Sequence, residues 1–433
     1  MSMLVDFITL GCSKNLVDSE HLMRQMQAAG YRVRHDAPDP DGDIAVVNTC
    51  GFIGDAKEES INMILRLAQR KQQGKLKQLF VMGCLSERYL KELQIEIPEV
   101  DKFYGKFNYN ELLTDLGKQF HPDFGLERVQ TTPRHYAYVK IAEGCNRFCS
   151  YCAIPLITGR YRSRPMDDVV AEVRWLVSHG VKEFQIIAQD LSYYGTDLYK
   201  SLKLPELVER LSDIDGVEWL RLHYAYPAQF PFDILRVMRE RDNVCNYLDI
   251  ALQHISDHML QKMRRHIGKS ETYDLMRRIR DEVPDIHLRT TLLLGHPGET
   301  EADVEELKQF VRDIRFERLG AFAYSDEDGT FANQHYKDDI AFDEKQRRVD
   351  QIMSIQEDIA AEINAQKIGR TLKTIVDRRE DNYFVGRTEY DSPEVDGEVL
   401  IDAAANSEIE IGNFYSVEID SADTFDLFGH VCR

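Results

Sequence analysis

The sequence predicts an α/β protein in three parts: an N-terminal parallel α/β domain, a central partial barrel of six β/α units, and a small all-β barrel or sandwich at the C-terminus. Three observations carry this. Short apolar runs alternate with helical stretches over residues 1–125, and the same rhythm returns six times between residues 135 and 330. From Gly369 onward apolar and polar residues alternate between turn signals such as Asp396-Gly397 and Ile411-Gly412. Alternating β and α elements favour a parallel sheet flanked by helices, whereas period-two alternation favours β structure.

In the first part the apolar runs Leu4–Leu10, Ile44–Val47 and Leu79–Met82 read as strands, with helices over Asp18–Ala29, Asp55–Gln72 and Ser86–Leu93. Each strand ends within three residues of a cysteine: Cys12, Cys50 and Cys84. Parallel strands present their carboxyl ends along one edge of the sheet, where open α/β folds bind ligands. Three cysteines far apart in sequence can therefore meet at one point.

The central part offers six strands: Tyr136–Ile141, Glu183–Ala188, Trp219–Tyr224, Tyr247–Leu252, His287–Leu294 and Arg318–Tyr324. Helices fit between them at Asp167–His179, Phe232–Arg241, Ser270–Glu282 and Glu301–Ile314. In full β/α barrels the active site lies in the loops after the strands. A second cysteine trio, Cys145, Cys149 and Cys152, follows the first of these strands. A long amphipathic helix is expected from Asp343 to Lys367, with Gly369 suited to cap it. The boundaries implied are 1–125, 135–367 and 368–433.

Composition narrows the class. The chain has 433 residues, no apolar run near the roughly 20 residues a membrane helix needs, and a start that reads as a strand rather than a signal peptide. A cytoplasmic location is expected, and the eight cysteines are then metal ligands before they are disulfides. The formal charge of −20 disfavours general nucleic-acid binding, which needs Lys and Arg against phosphate, and favours a basic partner.

Soft thiolates in two groups of three suit iron–sulfur clusters or a soft metal. Four irons held by three cysteines leave one iron open to a cofactor or substrate, which suggests chemistry rather than electron storage. The competing readings are a zinc site short of one ligand for the tight trio and ordinary buried cysteines for the spread trio.

The tight spacing, in K-I-A-E-G-C-N-R-F-C-S-Y-C-A-I-P at 140–155, resembles the radical S-adenosylmethionine superfamily. With I-T-L-G-C-S-K-N-L-V-D-S-E at 8–20, V-N-T-C-G-F-I at 47–53 and M-G-C-L at 82–85, the chain is similar to the methylthiotransferases. More narrowly it resembles the RimO-type enzymes, which modify an aspartate of small-subunit ribosomal protein twelve. The tRNA-modifying MiaB-type relatives typically read Y-G-C-Q-M-N where this chain has Leu10-Gly11-Cys12-Ser13-Lys14-Asn15.

The resemblance implies a TIM-like radical domain and a C-terminal TRAM-like barrel. It implies one [4Fe–4S] cluster on Cys145, Cys149 and Cys152, whose open iron chelates S-adenosylmethionine, and a second on Cys12, Cys50 and Cys84, whose open iron can carry exogenous sulfur. Two molecules of S-adenosylmethionine are consumed. One methylates the cluster-bound sulfur, and the other yields the radical that removes hydrogen from the aspartate β-carbon. An electron donor such as flavodoxin or ferredoxin is implied.

Further residues at strand ends are candidates for holding the cofactor: Tyr151, Gln189, Asp190, Gln253, His254, Gly295 and Pro297. His254 reads equally as a structural histidine. The stretch Gly159–Arg164 is basic and could steer anionic groups, or pair with local acids. Ser325–Thr330 matches a family position near the substrate entrance. Cys245 is expected to pack, and Cys432 is left unassigned.

The tail from Gly369 to Arg433 carries six basic and fifteen acidic residues, and Asp391–Gly397 forms an acidic loop suited to a basic ribosomal protein. An RNA-binding surface should instead be basic with interleaved aromatics. The reading is therefore a methylthiotransferase of a ribosomal-protein aspartate. A tRNA methylthiotransferase and a non-catalytic iron–sulfur carrier or scaffold are the alternatives. No membrane association and no strong nucleic-acid binding are expected.

Overall fold

Strand formation in the N-terminal third follows the apolar runs. In the computed structural model, which describes residues 2–106, 108–404 and 408–432, five parallel strands form one sheet. They are β1 (Leu4–Thr9), β2 (Arg32–His35), β3 (Ile44–Thr49), β4 (Gln78–Gly83) and β5 (Lys102–Phe103), in the order β2-β1-β3-β4-β5. Every residue of β3 is buried, as both faces of a central parallel strand should be. Strands β2 and β5 were not among the expected elements. The first is a charged edge, Arg-Val-Arg-His, and the second is two residues long, so neither shows an apolar pattern.

Two helices differ from expectation. The first begins at Ser13 directly after Cys12 and runs to Ala28. The helix expected over Ser86–Leu93 is two pieces, Cys84–Arg88 and Leu90–Glu96, parted at Tyr89, whose φ of −126° is not helical. The sheet order reverses between β1 and β3, which makes their carboxyl ends a topological switch point. Cys12 and Cys50 leave from either side of it.

The central sheet contains β6 (Tyr136–Lys140), β9 (Glu183–Ile187), β10 (Trp219–Ala225), β11 (Val244–Ile250), β12 (His287–Leu294) and β13 (Arg318–Ala323). A short antiparallel pair, β7 (Ala142–Glu143) and β8 (Arg162–Ser163), flanks it. The six strands are all parallel and lie in sequence order from β6 to β13. Each β/α unit therefore steps the same way around, the arrangement of an open barrel. Thr300 caps the helix Glu301–Ile314: its hydroxyl accepts from Asp303 N while Asp303 accepts from Thr300 N at 2.9 Å. A helix missing from the sequence reading, Leu204–Ser212, starts at a proline-permissive first turn and fills the unit between β9 and β10.

The long helix Phe342–Ala365 buries Val349, Ile352 and Ile359 in the core it shares with the central sheet. Gly369, with φ +80°, does not close that helix; its N–H donates to Ile419 O at 2.8 Å and turns the chain into the terminal barrel. There β14 (Thr371–Glu380), β15 (Tyr383–Thr388), β16 (Val399–Asp402), β17 (Phe414–Ala422) and β18 (Leu427–Val431) close in the order β14-β15-β16-β18-β17. Among the described residues no helix is long and apolar enough to cross a membrane.

The terminal barrel docks on the amino ends of the central strands. Arg387 of β15 makes a two-point pair with Glu183 at 3.0 and 2.7 Å, and both side chains are fully enclosed. Arg387 also reaches Asp377 at 2.6 Å, and Asp377 in turn meets His135 at 2.7 Å. Trp219 packs edge-on against Phe414 with ring centroids 4.8 Å apart.

The acidic loop Asp391–Gly397 is a correction to the sequence reading, because most of its charge is spent internally. Asp391 pairs with Arg318 at 2.6 Å and Asp396 with Arg289 at 3.3 Å, while Tyr247 donates to Asp396 at 2.9 Å. Segment charge cannot say whether the neutralising partner lies in another molecule or elsewhere in the same chain.

Candidate functional site

The spread trio is assembled by backbone geometry first. Gly11 has φ +93° and Gly83 φ +100°, a region that favours glycine. A Cβ on Gly11 would lie 2.7 Å from Cys50 Cβ, and one on Gly83 would lie 2.6 Å from Thr49 O. The loops after β1, β3 and β4 are thus drawn together more closely than side chains would permit.

Asn15 then ties them. Its Nδ2 donates to Leu10 O at 3.1 Å and Thr49 O at 3.0 Å, and its Oδ1 lies 3.6 Å from Cys84 Sγ. Ser60 Oγ accepts from Cys50 N at 3.0 Å and donates to Cys50 O at 3.1 Å.

Electrostatics distinguish the three thiols. Burial pushes Cys84 up to about 12, against the pull of Lys106, whose ammonium lies 3.8 Å from its sulfur. Burial also raises Cys50. Cys12 is the open member. Enclosure between the domains works to raise its pKa, but Lys14, Lys106 and the N–H groups of Asn15 and Lys14 outweigh that and hold it below the ordinary thiol value. Cys12 stands at the N-terminus of a sixteen-residue helix, whose first-turn N–H groups and dipole favour a thiolate.

The tight trio occupies the loop after β6 and β7. Arg147 N donates to Cys145 Sγ at 3.5 Å. The buried Arg265 donates to Cys149 Sγ and to the Tyr151 hydroxyl, both at 3.1 Å, and to Ala251 O. The guanidinium groups of Arg147 and Arg265 each lie 4.2 Å from the ring centroid of Tyr226. Burial pushes Cys145 up to about 12 and raises Cys152 as well. Arg265 and Tyr226 escaped the sequence reading because their role depends on tertiary placement. Arg147 had a signal: it lies between two of the cysteines.

The candidate cofactor residues fall into two groups. Asp190 pairs with Arg147 at 2.7 Å, and Gln189 donates to Glu143 Oε1. Gln253 carries φ +73°, a strained backbone pinned by Thr291 O and Leu293 N, each 2.9 Å away. His254 is wholly buried; its Nδ1 accepts from Ile255 N and Ser256 N at 2.9 and 3.1 Å, and its Nε2 lies 3.4 Å from Glu299 Oε1. Its Nδ1 is thus occupied by its own chain, while Nε2 and Glu299 Oε1 make no hydrogen bond among the described residues.

Gly295 N donates to Glu299 at 2.8 Å, and a side chain there would run into Lys345 of the long helix. Pro297 O is 3.2 Å from His296 Nδ1. In the basic stretch, Arg164 turns back onto Glu172 at 2.6 Å and Lys140 O at 2.7 Å. In the segment Ser325–Thr330, Glu327 accepts from Lys57 and Arg88, each at 2.8 Å, joining the first two domains. Cys245 packs among Trp219, Tyr247 and Ile375, and Cys432 Sγ lies 3.9 Å from Thr371 Oγ1.

A chain of charged groups runs from the spread trio into the second domain. Lys106 lies 3.2 Å from Glu143 Oε1, and Glu143 pairs with Lys140 at 2.8 Å. Burial disfavours ionising Glu143, yet Lys140 and Lys106 hold its pKa down to about 2.

The donor chemistry fits iron–sulfur clusters. Each trio gathers thiols whose charges raise one another, with a buried cation at hand to offset an anionic cluster. Among the described residues no three His, Cys, Asp or Glu side chains close on one point tightly enough for a single metal ion. Buried polar atoms without partners, Arg147 Nη2, Gln189 Oε1 and Asp190 Oδ1, sit in the wall beside the tight trio. Orphans of this kind are costly unless a bound group satisfies them.

Comparison with known proteins fits this architecture. The family model of the Radical SAM superfamily matches residues 139–311, that of Uncharacterized protein family UPF0004 residues 5–105, and that of the TRAM domain residues 368–432. The chain is 65% identical over 427 residues to the ribosomal protein uS12 methylthiotransferase RimO of Phocaeicola vulgatus, covering 99% of both chains. It is 66% identical to the protein of the same name from Bacteroides thetaiotaomicron, covering 99% of this chain and 98% of that one. Among solved structures it is similar in fold to the radical S-adenosylmethionine methyltransferase TsrM from Kitasatospora setae, with a TM-score of 0.54 at 15% identity, over 74% of this chain and 73% of that one.

Proposed function

The chain belongs to the RimO family of ribosomal protein uS12 methylthiotransferases, and from that premise we propose that its two cysteine trios divide the labour of placing a methylthio group on the β-carbon of a uS12 aspartate. It is a radical S-adenosylmethionine enzyme, and its cofactors are two [4Fe–4S] clusters and S-adenosylmethionine. A tRNA methylthiotransferase is not favoured, and the acidic terminal domain agrees with that.

When bound, these groups supply one-electron cleavage that removes hydrogen from an unactivated carbon, together with a sulfur that carries a methyl group. The residues of the chain provide the setting. Cys145, Cys149 and Cys152 hold one cluster, and Arg265 and Arg147 offset its charge and wall it from water. Cys12, Cys50 and Cys84 hold the other, with Lys106 beside it. Gln189 and Asp190, Tyr151, Gln253, His254, Gly295 and Pro297 form the wall that receives S-adenosylmethionine. Domains over 1–125, 135–367 and 368–433 bring the two seats face to face. The enzyme works in the cytoplasm, reduced by a flavodoxin or ferredoxin.

The observation that supports this reading is that Cys84 of the spread trio packs against Ala153, the residue after Cys152, with the buried chain Lys106–Glu143–Gln189 running from Cys84 into the second domain. The test is mass spectrometry after anaerobic reconstitution with S-adenosylmethionine, a reductant and isolated uS12. One methylthio group gained on an aspartate supports the reading. Formation of 5′-deoxyadenosine with unmodified uS12 would sink the substrate assignment.

A further inference from the structure

A cavity of about 290 Å³ lies between the first and second domains, with a floor made by the terminal one. Gly11, Cys12 and Ser13 line one side, and Tyr138, His223, Tyr224, Asp249 and Arg289 of the central sheet line another. The remainder is Ser392–Val395, the tip of the loop from the terminal barrel. The charges facing this space are unequally satisfied. Arg289 stands between Asp249 at 3.7 Å and Asp396 at 3.3 Å, and behind the lining Tyr224 the buried Lys14 lies over its ring at 3.5 Å.

Glu394 differs. Its carboxylate accepts from the hydroxyls of Tyr136 at 3.0 Å and Tyr138 at 3.4 Å, and no cation among the described residues pairs with it. Its backbone is in the left-handed region, with φ +70°, so the fold holds an exposed carboxylate at the cavity wall in a conformation glutamate ordinarily avoids. The neighbouring acids of the same loop each have an arginine of their own.

We propose that Glu394 is a specificity-determining residue, which receives a Lys or Arg side chain flanking the target aspartate when a basic protein substrate enters this cavity; the proposal rests on the functional reading above. Ribosomal proteins are rich in such cations because they neutralise RNA phosphate. A carboxylate sharing the cavity with Cys12 selects among their aspartates: one flanked by a cation is drawn in, and one flanked by acids is repelled. Two phenol donors hold the carboxylate in place without cancelling its charge, as a receptor for a cation requires.

The test measures KM and kcat for uS12 methylthiolation with the full-length reconstituted enzyme at two ionic strengths. Replacing Glu394→Gln is expected to raise KM by about tenfold, with kcat within about twofold, and to flatten the salt dependence of KM. Glu394→Lys is expected to raise KM by about a hundredfold or more. Tyr136→Phe removes one phenol donor but keeps the charge, and is expected to leave KM within about twofold. The proposal is overturned if Glu394→Gln leaves KM and its salt dependence at wild-type values, or if Tyr136→Phe reproduces the Glu394→Gln effect, which would make the residue structural. If the wild-type enzyme itself leaves uS12 unmodified, the functional reading falls and this proposal falls with it.

Discussion

The Lys106 ammonium lies 3.2 Å from the Glu143 carboxylate across the seam between the first and second domains, while its other side faces Cys84 at 3.8 Å. One buried cation therefore serves a structural pair and a proposed cluster ligand together. Replacing it with Met should leave Glu143 with Lys140 alone in a buried site. Loss of a partner from a buried ion pair costs about 3–5 kcal/mol when no other remains, so a smaller but clear fall in the melting midpoint is expected here. Methylthio transfer should fall further than cleavage of S-adenosylmethionine. Equal losses in the two assays would detach Lys106 from the auxiliary cluster.

The two trios should be separable by iron content. Cys50→Ala is expected to retain about half of the wild-type iron and sulfide after reconstitution, and to keep cofactor cleavage at least in part. Cys149→Ala should abolish that cleavage. A Cys50→Ala protein that binds the full complement of iron would break the assignment.

Gly83→Ala tests the backbone that gathers the spread trio. At φ +100°, with Thr49 O where the methyl group must go, the cost is about 1–2 kcal/mol from the backbone conformation plus the clash. Loss of iron from the auxiliary site, with the radical site still loaded, is the expected result of iron analysis combined with electron paramagnetic resonance.

Acid should undock the terminal barrel. Asp377 is buried, which raises its pKa, but Arg387 and His135 bring it down to about 2. A depressed carboxylate contributes stability that is full above its unfolded value near 4 and is lost as pH falls through the folded value. The window is therefore about pH 4 down to 2, and Glu183, also lowered, adds to it. Trp219, packed on Phe414, is one of two tryptophans in the chain, so its fluorescence reports the event. A spectrum unchanged to pH 2 would contradict the argument.

Much of this architecture was legible in the sequence, for identifiable reasons. Strands such as Ile44–Thr49 and His287–Leu294 are continuous or alternating apolar runs bounded by turns, and the cysteines mark their ends. Strand β2 and the two-residue β5 carry no such pattern. Arg265 and Lys106 were invisible because a cation's meaning depends on what the fold lays beside it. The loop Asp391–Gly397 was legible as acidic but not as internally paired, since Arg289 and Arg318 come from strands 107 and 73 residues before their partners.

That loop has a consequence for how the molecule comes into being. Cys12 is among the first residues to leave the ribosome during synthesis, and Ser392–Val395, which share its cavity, are among the last. Until translation passes residue 395 the chamber has no floor, and Cys12 stays open from that side. A nascent chain is thus more accessible to iron and sulfur donors, and equally to oxygen, along a route that the loop narrows in the finished protein. Truncation at the end of the second domain would leave that route open permanently.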